Sequence, residues 1–345
     1  MPHPFTPRGR LSHGRLKHLV VACIFTIITY YYVSRGPPTQ FALLSPKDAA
    51  GNSTLGFQKI LVLSEGPSWR TRGLKAAAEH TGLDVEIPKQ PPLTVEMIEA
   101  FQKLGPENVP HPVDTGEVRN WLSSLDLVKY MVMADLESAL FLEDDVDWDV
   151  SVKDQMRLVS DAVREFTLTD SQDRSPYGHA WDILWIGHSG EPTVNKTRRL
   201  EYDDPSAPLP ANYIGWSKRY MDGITPGKRA VQRSSLTVAS FAIGFSRRGA
   251  MKVLKWAGKG EDKAFDIRLQ QGCKFKDLSC LVINPELMHH YVPPTDFGHI
   301  STVADANLKG SKAEEEEFEH VMGDTPNILH SARCRALFDS TCPRN

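Results

Sequence analysis

In ALFLEDDVDWD, residues 139–149, an apolar run leads directly into a segment with five acidic residues. The run 139–142 is short and wholly apolar, which is typical of a central strand buried on both faces. Ligands of open α/β sheets bind beyond the carboxyl ends of the strands, which is where these acids lie. Crowded like charges repel one another unless a cation neutralises them. We therefore expect a functional site here rather than a solvated turn.

Strand-like and helix-like segments alternate on both sides of this stretch. Apolar runs predict the strands, and apolar residues at helical spacing predict the helices. The predicted strands are 59–63, 84–88, 139–142, 182–187, 237–245 and 278–283, and the predicted helices are 69–82, 117–132, 152–166 and 247–257. Residues 191–235 are polar and rich in Pro, Arg and Lys, so they read as an extended loop. The alternation predicts one α/β domain over residues 57–345, Rossmann-like, with a mostly parallel sheet.

The segment before this domain has the pattern of a membrane anchor. A basic tail, residues 1–18, precedes LVVACIFTIITYYYV at 19–33, which contains no charged residue. This order predicts a single-pass type II protein of the Golgi or ER membrane, with residues 34–56 as a stem and the catalytic domain in the lumen. The alternative is a cleaved signal and a secreted protein.

Two further features suit a lumenal domain. Asn52 and Asn195 stand in Asn-x-Ser/Thr sequons, the acceptor pattern for N-glycosylation. Four cysteines follow residue 35, namely Cys273, Cys280, Cys334 and Cys342, and they could form two disulfides in an oxidising compartment. Three pairings are possible, and the sequence does not choose among them. Our hypothesis is sequential pairing.

Composition narrows the class of protein. The chain has 345 residues, 41% hydrophobic and 24% charged, with a formal net charge of -3. This is ordinary for a globular protein. No Lys/Arg-rich stripe occurs outside the N-terminus, so we expect no nucleic-acid partner.

Four interpretations compete for the acidic stretch. A calcium-binding EF-hand loop fails, because Val150 and Met156 stand where that loop needs Gly and Glu. A phosphohydrolase would use Asp145 as nucleophile and Asp147 as acid/base. An exposed acidic loop without function is the third. The fourth is a nucleotide-sugar transferase, in which carboxylates at a strand end hold Mn²⁺ or Mg²⁺ against the sugar diphosphate.

The surrounding sequence resembles glycosyltransferase family 25, which includes bacterial lipooligosaccharide galactosyltransferases and collagen galactosyltransferases. Four segments carry the resemblance, in the family's order: KILVLSEGPSWRTRGLKAAAEHTGLDVEI at 59–87, GEVRNWLSSLDLVKYMVMADLESALFLEDDVDWD at 116–149, TVASFAIGFSRRGAMKVL at 237–254 and KAFDIRLQQG at 263–272. The resemblance implies a GT-A-type fold and inverting transfer of a hexose, galactose favoured, from a nucleotide sugar such as a UDP-hexose to a glycan or glycoprotein.

The chain departs from the family pattern at two places. The family has His after the signature Ser, where this chain has Ser123-Ser124, and its first strand ends in Asn-Leu, where this chain has Leu63-Ser64. The first departure leaves open an inactive relative that serves as a binding glycoprotein.

The resemblance also implies roles for particular residues. We expect Asp145 to bind the metal, with Asp147 as a second candidate ligand. A metal held by few protein groups often takes a further ligand from far along the chain, and His289 or His290, just after the last predicted strand, could supply it, with a purely structural histidine as the alternative. Asp144 would bind the ribose or the metal, with Glu143 anchoring the strand end beside the nucleotide sugar.

A second group of residues is expected around the donor and the acceptor. Asp266 matches the family's later Asp and would act as general base, although a carboxylate stabilised at a helix N-terminus explains it about as well. Arg70 or Arg72 would contact the nucleotide or diphosphate, and Glu117 and Ser123 would line the nucleotide pocket.

Overall fold

A single ten-stranded sheet organises the chain. The computed structural model describes residues 44–104, 113–194, 198–260, 264–294, 297 and 315–342, together with Thr26. The strands are β1 Lys59–Leu63, β2 Val85–Glu86, β3 Ser138–Glu143, β4 Val146–Trp148, β5 Ile183–Gly187, β6 Arg199–Asp203, β7 Lys228–Arg233, β8 Ala242–Ser246, β9 Cys280–Asn284 and β10 Met288–His290.

The strands run in both directions. The order is β2-β1-β3-β8-β5-β9-β7-β6. β1 is parallel to β2 and β3, and β5 is parallel to β9. β8 lies antiparallel between β3 and β5, and β7 is antiparallel to both β9 and β6. β4 and β10 form a short antiparallel ribbon that joins β5 where Met288 pairs with Gly187.

The predicted fold class is therefore wrong as stated. The sheet is mixed rather than mostly parallel, because a reversed strand lies at its centre, and an apolar run does not reveal a strand's direction. Within the described ranges, no helix is long and apolar enough to cross a membrane. The segment predicted as an anchor, 19–33, lies outside the described residues apart from Thr26. The architecture that remains is a mixed α/β fold, compatible with a Rossmann-like one.

Helices cover both faces of the sheet. They are α1 Pro46–Ala50, α2 Trp69–Thr81, α3 Val95–Gln102, α4 Thr115–Met133, α5 Val152–Thr167, α6 Arg247–Ala257, α7 Phe265–Lys274 and α8 Ala332–Phe338. Two apolar cores result. In β1, Ile60 and Val62 join the core under α2 and α5, whereas Leu61 joins the core under α4, α6 and α7. This alternation is what a strand buried on both faces produces.

Local sequence signals explain several helix ends. The Ser68 side chain caps α2 within a capping box, and Gly82 ends that helix at φ 63, a left-handed conformation that favours glycine. Ser246 caps α6 by accepting from the Gly249 N–H. Ser151 precedes α5 without capping it, because its hydroxyl donates to Asp149 Oδ1 at 2.6 Å.

Two segments that were predicted to lack regular structure, the stem and the loop 191–235, contribute to the folded unit. The compact unit begins at Ser45 rather than at residue 57, and Ala49, Ala50 and Leu55 of the predicted stem are buried. The predicted loop 191–235 contains the β6–β7 hairpin. Its strands were missed because β6, Arg199–Asp203, is an edge strand that is mostly polar and only half-buried.

Candidate functional site

Asp144 lies at the carboxyl end of β3, beside the end of β1. The parallel register pairs Leu63 with Glu143, which brings Ser64 next to Asp144. The Ser64 hydroxyl donates to Asp144 Oδ2 at 2.6 Å, and Arg70 Nη1 lies 3.9 Å from Oδ1. Burial raises the pKa of Asp144 to about 6 even though Ser64 and Arg70 favour the anion. The departure from the family pattern at Ser64 thus supplies a direct contact to the cluster.

Glu143 is the most strongly perturbed acid at this edge. Burial, with the charge of Asp145 second, raises the pKa of Glu143 to about 8, against a hydrogen bond from Ser240 that lowers it. That bond runs from Ser240 Oγ to Glu143 Oε1 at 2.5 Å. A small cavity of about 20 Å³, room for about one water, is lined by Glu143, Ser240 and Ser124 among mainly apolar side chains. Glu143 therefore holds its proton to a higher pH than an exposed glutamate does.

Asp266 lies in the first turn of α7, within electrostatic range of Glu143. Its Oδ2 accepts from the Ala239 N–H at 2.7 Å, and its Oδ1 accepts from the Ile267 N–H at 2.9 Å. Ala239 adopts a positive φ of 69 immediately before Ser240. Asp266 thus holds the turn that presents Ser240 to Glu143, and it belongs to the same site.

Asp145 Oδ1 and His290 Nδ1 are buried polar atoms that have no hydrogen-bond partner among the described residues. The two residues are neighbours, because the β4–β10 ribbon pairs His290 with Val146 and the Tyr291 N–H donates to the Asp145 carbonyl at 2.8 Å. Burial lowers the pKa of His290, and the negative charge of Asp145 opposes that shift. Buried polar atoms are rarely left without partners, so this pair favours a missing ligand.

His289 differs from its neighbour. It is buried, and its ring centroid lies 4.8 Å from that of Phe241 and 4.5 Å from that of His290. Burial lowers the pKa of His289 to about 3, with a smaller contribution from His290. We therefore assign His289 to packing and His290 to the site.

Asp147 faces the C-terminal segment instead of the cluster. Its carboxylate accepts from Thr325 Oγ1 at 2.7 Å, from the Arg333 N–H at 3.0 Å, from the Trp148 N–H at 2.8 Å and from Ser331 Oγ. Burial raises the pKa of Asp147 and these donors lower it. A carboxylate occupied in this way has no need of a cation, so the structure assigns Asp147 to stability and not to metal binding.

Arg333 is a buried cation that the sequence did not indicate. Its guanidinium lies 4.9 Å from the Trp69 ring centroid and 4.3 Å from that of Tyr291, and Nη2 donates to the Trp69 carbonyl at 2.9 Å. Burial lowers the pKa of Arg333, against the charges of Tyr291, Asp147, Asp145 and Asp144. The residue lies far from the acids along the chain and in no motif, so only the fold reveals it.

The other residues that were predicted to bind the sugar donor lie in different environments. Arg70 is buried next to Asp144, whereas Arg72 is exposed and pairs with Glu315 and Glu319 of the C-terminal segment. Glu117 lies in the first turn of α4. The neighbour of the predicted Ser123, Ser124, lines the cavity beside Glu143.

The predicted modifications have different outcomes. Both disulfides pair sequentially, Cys273 with Cys280 and Cys334 with Cys342, which confirms that hypothesis. Asn52 is half-buried, and its Oδ1 accepts from the Thr54 N–H at 2.9 Å and the Gly56 N–H at 3.0 Å. The other sequon residue, Asn195, lies outside the described residues.

The arrangement is a carboxylate cluster with one imidazole and two buried guanidinium groups, those of Arg70 and Arg333. In the part of the chain that the structure describes, no three His, Cys, Asp or Glu side chains are grouped to hold a metal by themselves. Asp145 and His290 could supply two ligands, and other ligands would come from a substrate or from water. No protein-family model matches the chain, and no curated protein matches it either.

Proposed function

We propose that this protein is a glycosyltransferase that transfers a hexose from a nucleotide sugar to a glycan or glycoprotein acceptor. The observation that carries the proposal is the pair of buried, unpartnered atoms Asp145 Oδ1 and His290 Nδ1 at the carboxyl edge of the sheet. The resemblance to glycosyltransferase family 25 favours galactose as the sugar, a UDP-hexose as the donor and inversion as the stereochemical outcome.

Asp145 and His290 suit a divalent cation such as Mn²⁺ or Mg²⁺. Carboxylate oxygen and neutral imidazole nitrogen are both common ligands of first-row divalent metals. Burial lowers the pKa of His290, which favours the neutral imidazole that coordinates a metal. Such metals are often held by one or two protein groups together with substrate phosphates. Bound here, the ion would act as a Lewis acid on the leaving diphosphate.

Asp144 and Arg70 suit the rest of the nucleotide. The Asp144 carboxylate, held by Ser64 at 2.6 Å, can accept hydrogen bonds from ribose hydroxyls. The Arg70 guanidinium lies 3.9 Å from the same carboxylate and can donate to a phosphate oxygen. A bound phosphate would add negative charge, which the nearby buried Arg333 also offsets.

Asp266 is our choice for the general base. Two backbone N–H groups fix its carboxylate, and each oxygen keeps a lone pair for the proton of an acceptor hydroxyl. Burial raises the pKa of the nearby Glu143 to about 8, which reduces the repulsion between the two side chains.

The alternative phosphohydrolase is less well supported. It needs Asp147 as acid/base next to a nucleophilic Asp145, but the Asp147 carboxylate is buried and bonded to Thr325, Ser331 and Arg333. No contact in the described residues favours an inactive relative over an enzyme.

The compartment is also a proposal. The two disulfides favour an oxidising environment, such as the lumen of the Golgi or ER. Acceptor glycans and glycoproteins are found there as well.

The test is turnover of a UDP-hexose by the purified chain with and without Mn²⁺. Asp145→Asn keeps the size of the side chain and removes its charge, so we expect turnover to fall by about 10²–10³. Asp203→Asn, an exposed position on β6, is the matched control and should retain wild-type turnover. Equal activity of the Asp145→Asn variant and wild type would contradict the assignment.

A further inference from the structure

Trp216 and Tyr220 form an aromatic pair in which Trp216 is exposed and Tyr220 is half-buried. Trp216 is 42% exposed, and the two ring centroids lie 6.3 Å apart in an edge-to-face arrangement. Tryptophan buries more apolar area than most side chains when it packs, so a ring left partly exposed gives up some of that stabilisation. Aromatic rings of this kind often serve as binding platforms.

Buried contacts hold the backbone beneath these rings. Tyr213 and Ser217 are fully buried, and the Tyr213 hydroxyl donates to Glu286 Oε2 at 2.9 Å. Ile214 exchanges two hydrogen bonds with the Asn327 side chain, at 2.8 and 2.9 Å. A platform anchored in this way loses little conformational entropy when it binds.

The aromatic pair lies at the same edge of the sheet as the acids. A Cβ on Gly190 would lie 3.0 Å from Trp216 Nε1, so the indole packs against Gly190. Gly190 follows β5, and its N–H donates to His188 Nδ1 at 3.0 Å. β3 and β5 run in the same direction, because each is antiparallel to β8, so the residues after β5 lie at the edge that carries Asp144 and Asp145. At that edge Gly187, the last residue of β5, pairs with Met288 of β10, two residues before His290.

Two exposed cations accompany the rings. Lys218 and Arg219 are both exposed, and neither forms an ion pair within the described ranges. Arg219 Cζ lies 4.8 Å from the Tyr220 ring centroid, and Lys218 Nζ donates to the Ala211 carbonyl at 3.1 Å. Positive charge without an acidic partner among the described residues suits an anionic ligand.

We propose that Trp216, Tyr220, Lys218 and Arg219 form the acceptor subsite of the transferase proposed above. The apolar face of a pyranose ring stacks on Trp216, and an anionic substituent on the same glycan, a phosphate or a carboxylate, pairs with Arg219 and Lys218. The inference rests on the proposed function, because it gives that active site its second substrate. It assigns the acceptor to the class of acidic glycans.

The experiment measures binding of the full chain to an array of neutral, phosphorylated, and uronic or sialic acid-bearing oligosaccharides. We expect binding to anionic glycans, with the phosphorylated and carboxylated sets distinguishing the two sources of charge. Trp216→Ala should weaken binding by about tenfold or more, and Trp216→Tyr, which keeps a ring, should recover part of it. Arg219→Gln should remove the preference for anionic over neutral glycans.

Phe275→Ala is the matched control, because Phe275 is a 64% exposed aromatic residue at the end of α7. It should bind glycans like wild type. The inference is overturned if wild type binds no glycan, or if Trp216→Ala and wild type bind equally. The rise in melting temperature caused by a UDP-hexose together with Mn²⁺ is measured in parallel on wild type. If that rise is absent while glycan binding depends on Trp216, the transferase proposal fails and the glycan site stands.

Discussion

At the scale of single residues, the two adjacent histidines have different roles. His290 carries an unpartnered Nδ1 beside Asp145, whereas His289 packs against Phe241. We predict that His290→Gln raises the Mn²⁺ concentration needed for half-maximal turnover by about 10–100-fold, the range seen when support of a metal site is lost. His289→Gln should lower the melting temperature and leave the Mn²⁺ requirement unchanged. A titration of turnover against Mn²⁺ separates the two, and equal requirements in both variants would contradict the assignment.

Glu286 provides a pH test at the same scale. Burial raises its pKa to about 7, although Asn327, Tyr213 and Arg229 favour the anion. An unfolded glutamate titrates near 4.5. Between these values the folded state holds a proton that the unfolded state has lost, so this group makes the protein less stable as the pH rises from about 4.5 to 7.

We therefore predict that Glu286→Gln reduces this loss of stability. Glutamine keeps an acceptor for Asn327 and has no proton to lose. The measurement is the free energy of unfolding of the variant and of wild type across pH 4 to 8. As the pH rises, the stability of the variant relative to wild type should increase. A difference that does not vary with pH would show that Glu286 has no raised pKa.

At the scale of elements, Asp147 joins the short strand β4 to the C-terminal segment. Thr325, Ser331 and the Arg333 N–H all donate to it, and Ser331 caps α8. The same segment supplies Arg333 to the acidic cluster and is closed by the Cys334–Cys342 disulfide. This contact therefore stabilises the segment that supplies the buried cation.

We predict that Asp147→Asn lowers the free energy of unfolding by about 2–3 kcal/mol, because it weakens hydrogen bonds to a charged, fully buried group. The Mn²⁺ requirement of the molecules that remain folded should not change, since Asp147 does not bind the metal in our account. Urea unfolding measures the first quantity and the turnover titration the second. If the variant is as stable as wild type and needs more Mn²⁺, our assignment is wrong and Asp147 is a metal ligand.

At the scale of the whole molecule, local patterns predicted the elements better than their arrangement. The strand at 139–142 and the acids after it could be predicted because an apolar run and a charge cluster are local features of the sequence. The structure confirms the strand as β3, with the acids at its carboxyl end. The antiparallel direction of β8 could not be predicted from the sequence, because the direction of a strand depends on the path of the connecting chain. The hairpin of β6 and β7 was missed because its strands lack an apolar pattern.

The site divides in the same way. Asp144, Asp145 and Asp266 were identified from sequence, and the structure brings them to one edge of the sheet. The sequence could not show that Asp147 lies outside the site, because its partners Thr325 and Ser331 are distant in sequence. Arg333 and Ser240 became visible only through contacts made by the fold.

The central claim is that Asp145 and His290 hold a divalent cation that binds a nucleotide diphosphate. The most direct measurement is the melting temperature of the full chain with UDP alone, Mn²⁺ alone, and both together. At ligand concentrations about 100-fold above the dissociation constant, binding adds about 2.7 kcal/mol, and we predict a rise of about 5 °C with both ligands. That rise should be absent in Asp145→Asn. No joint effect of UDP and Mn²⁺ on wild type, or the same rise in Asp145→Asn, would contradict the account.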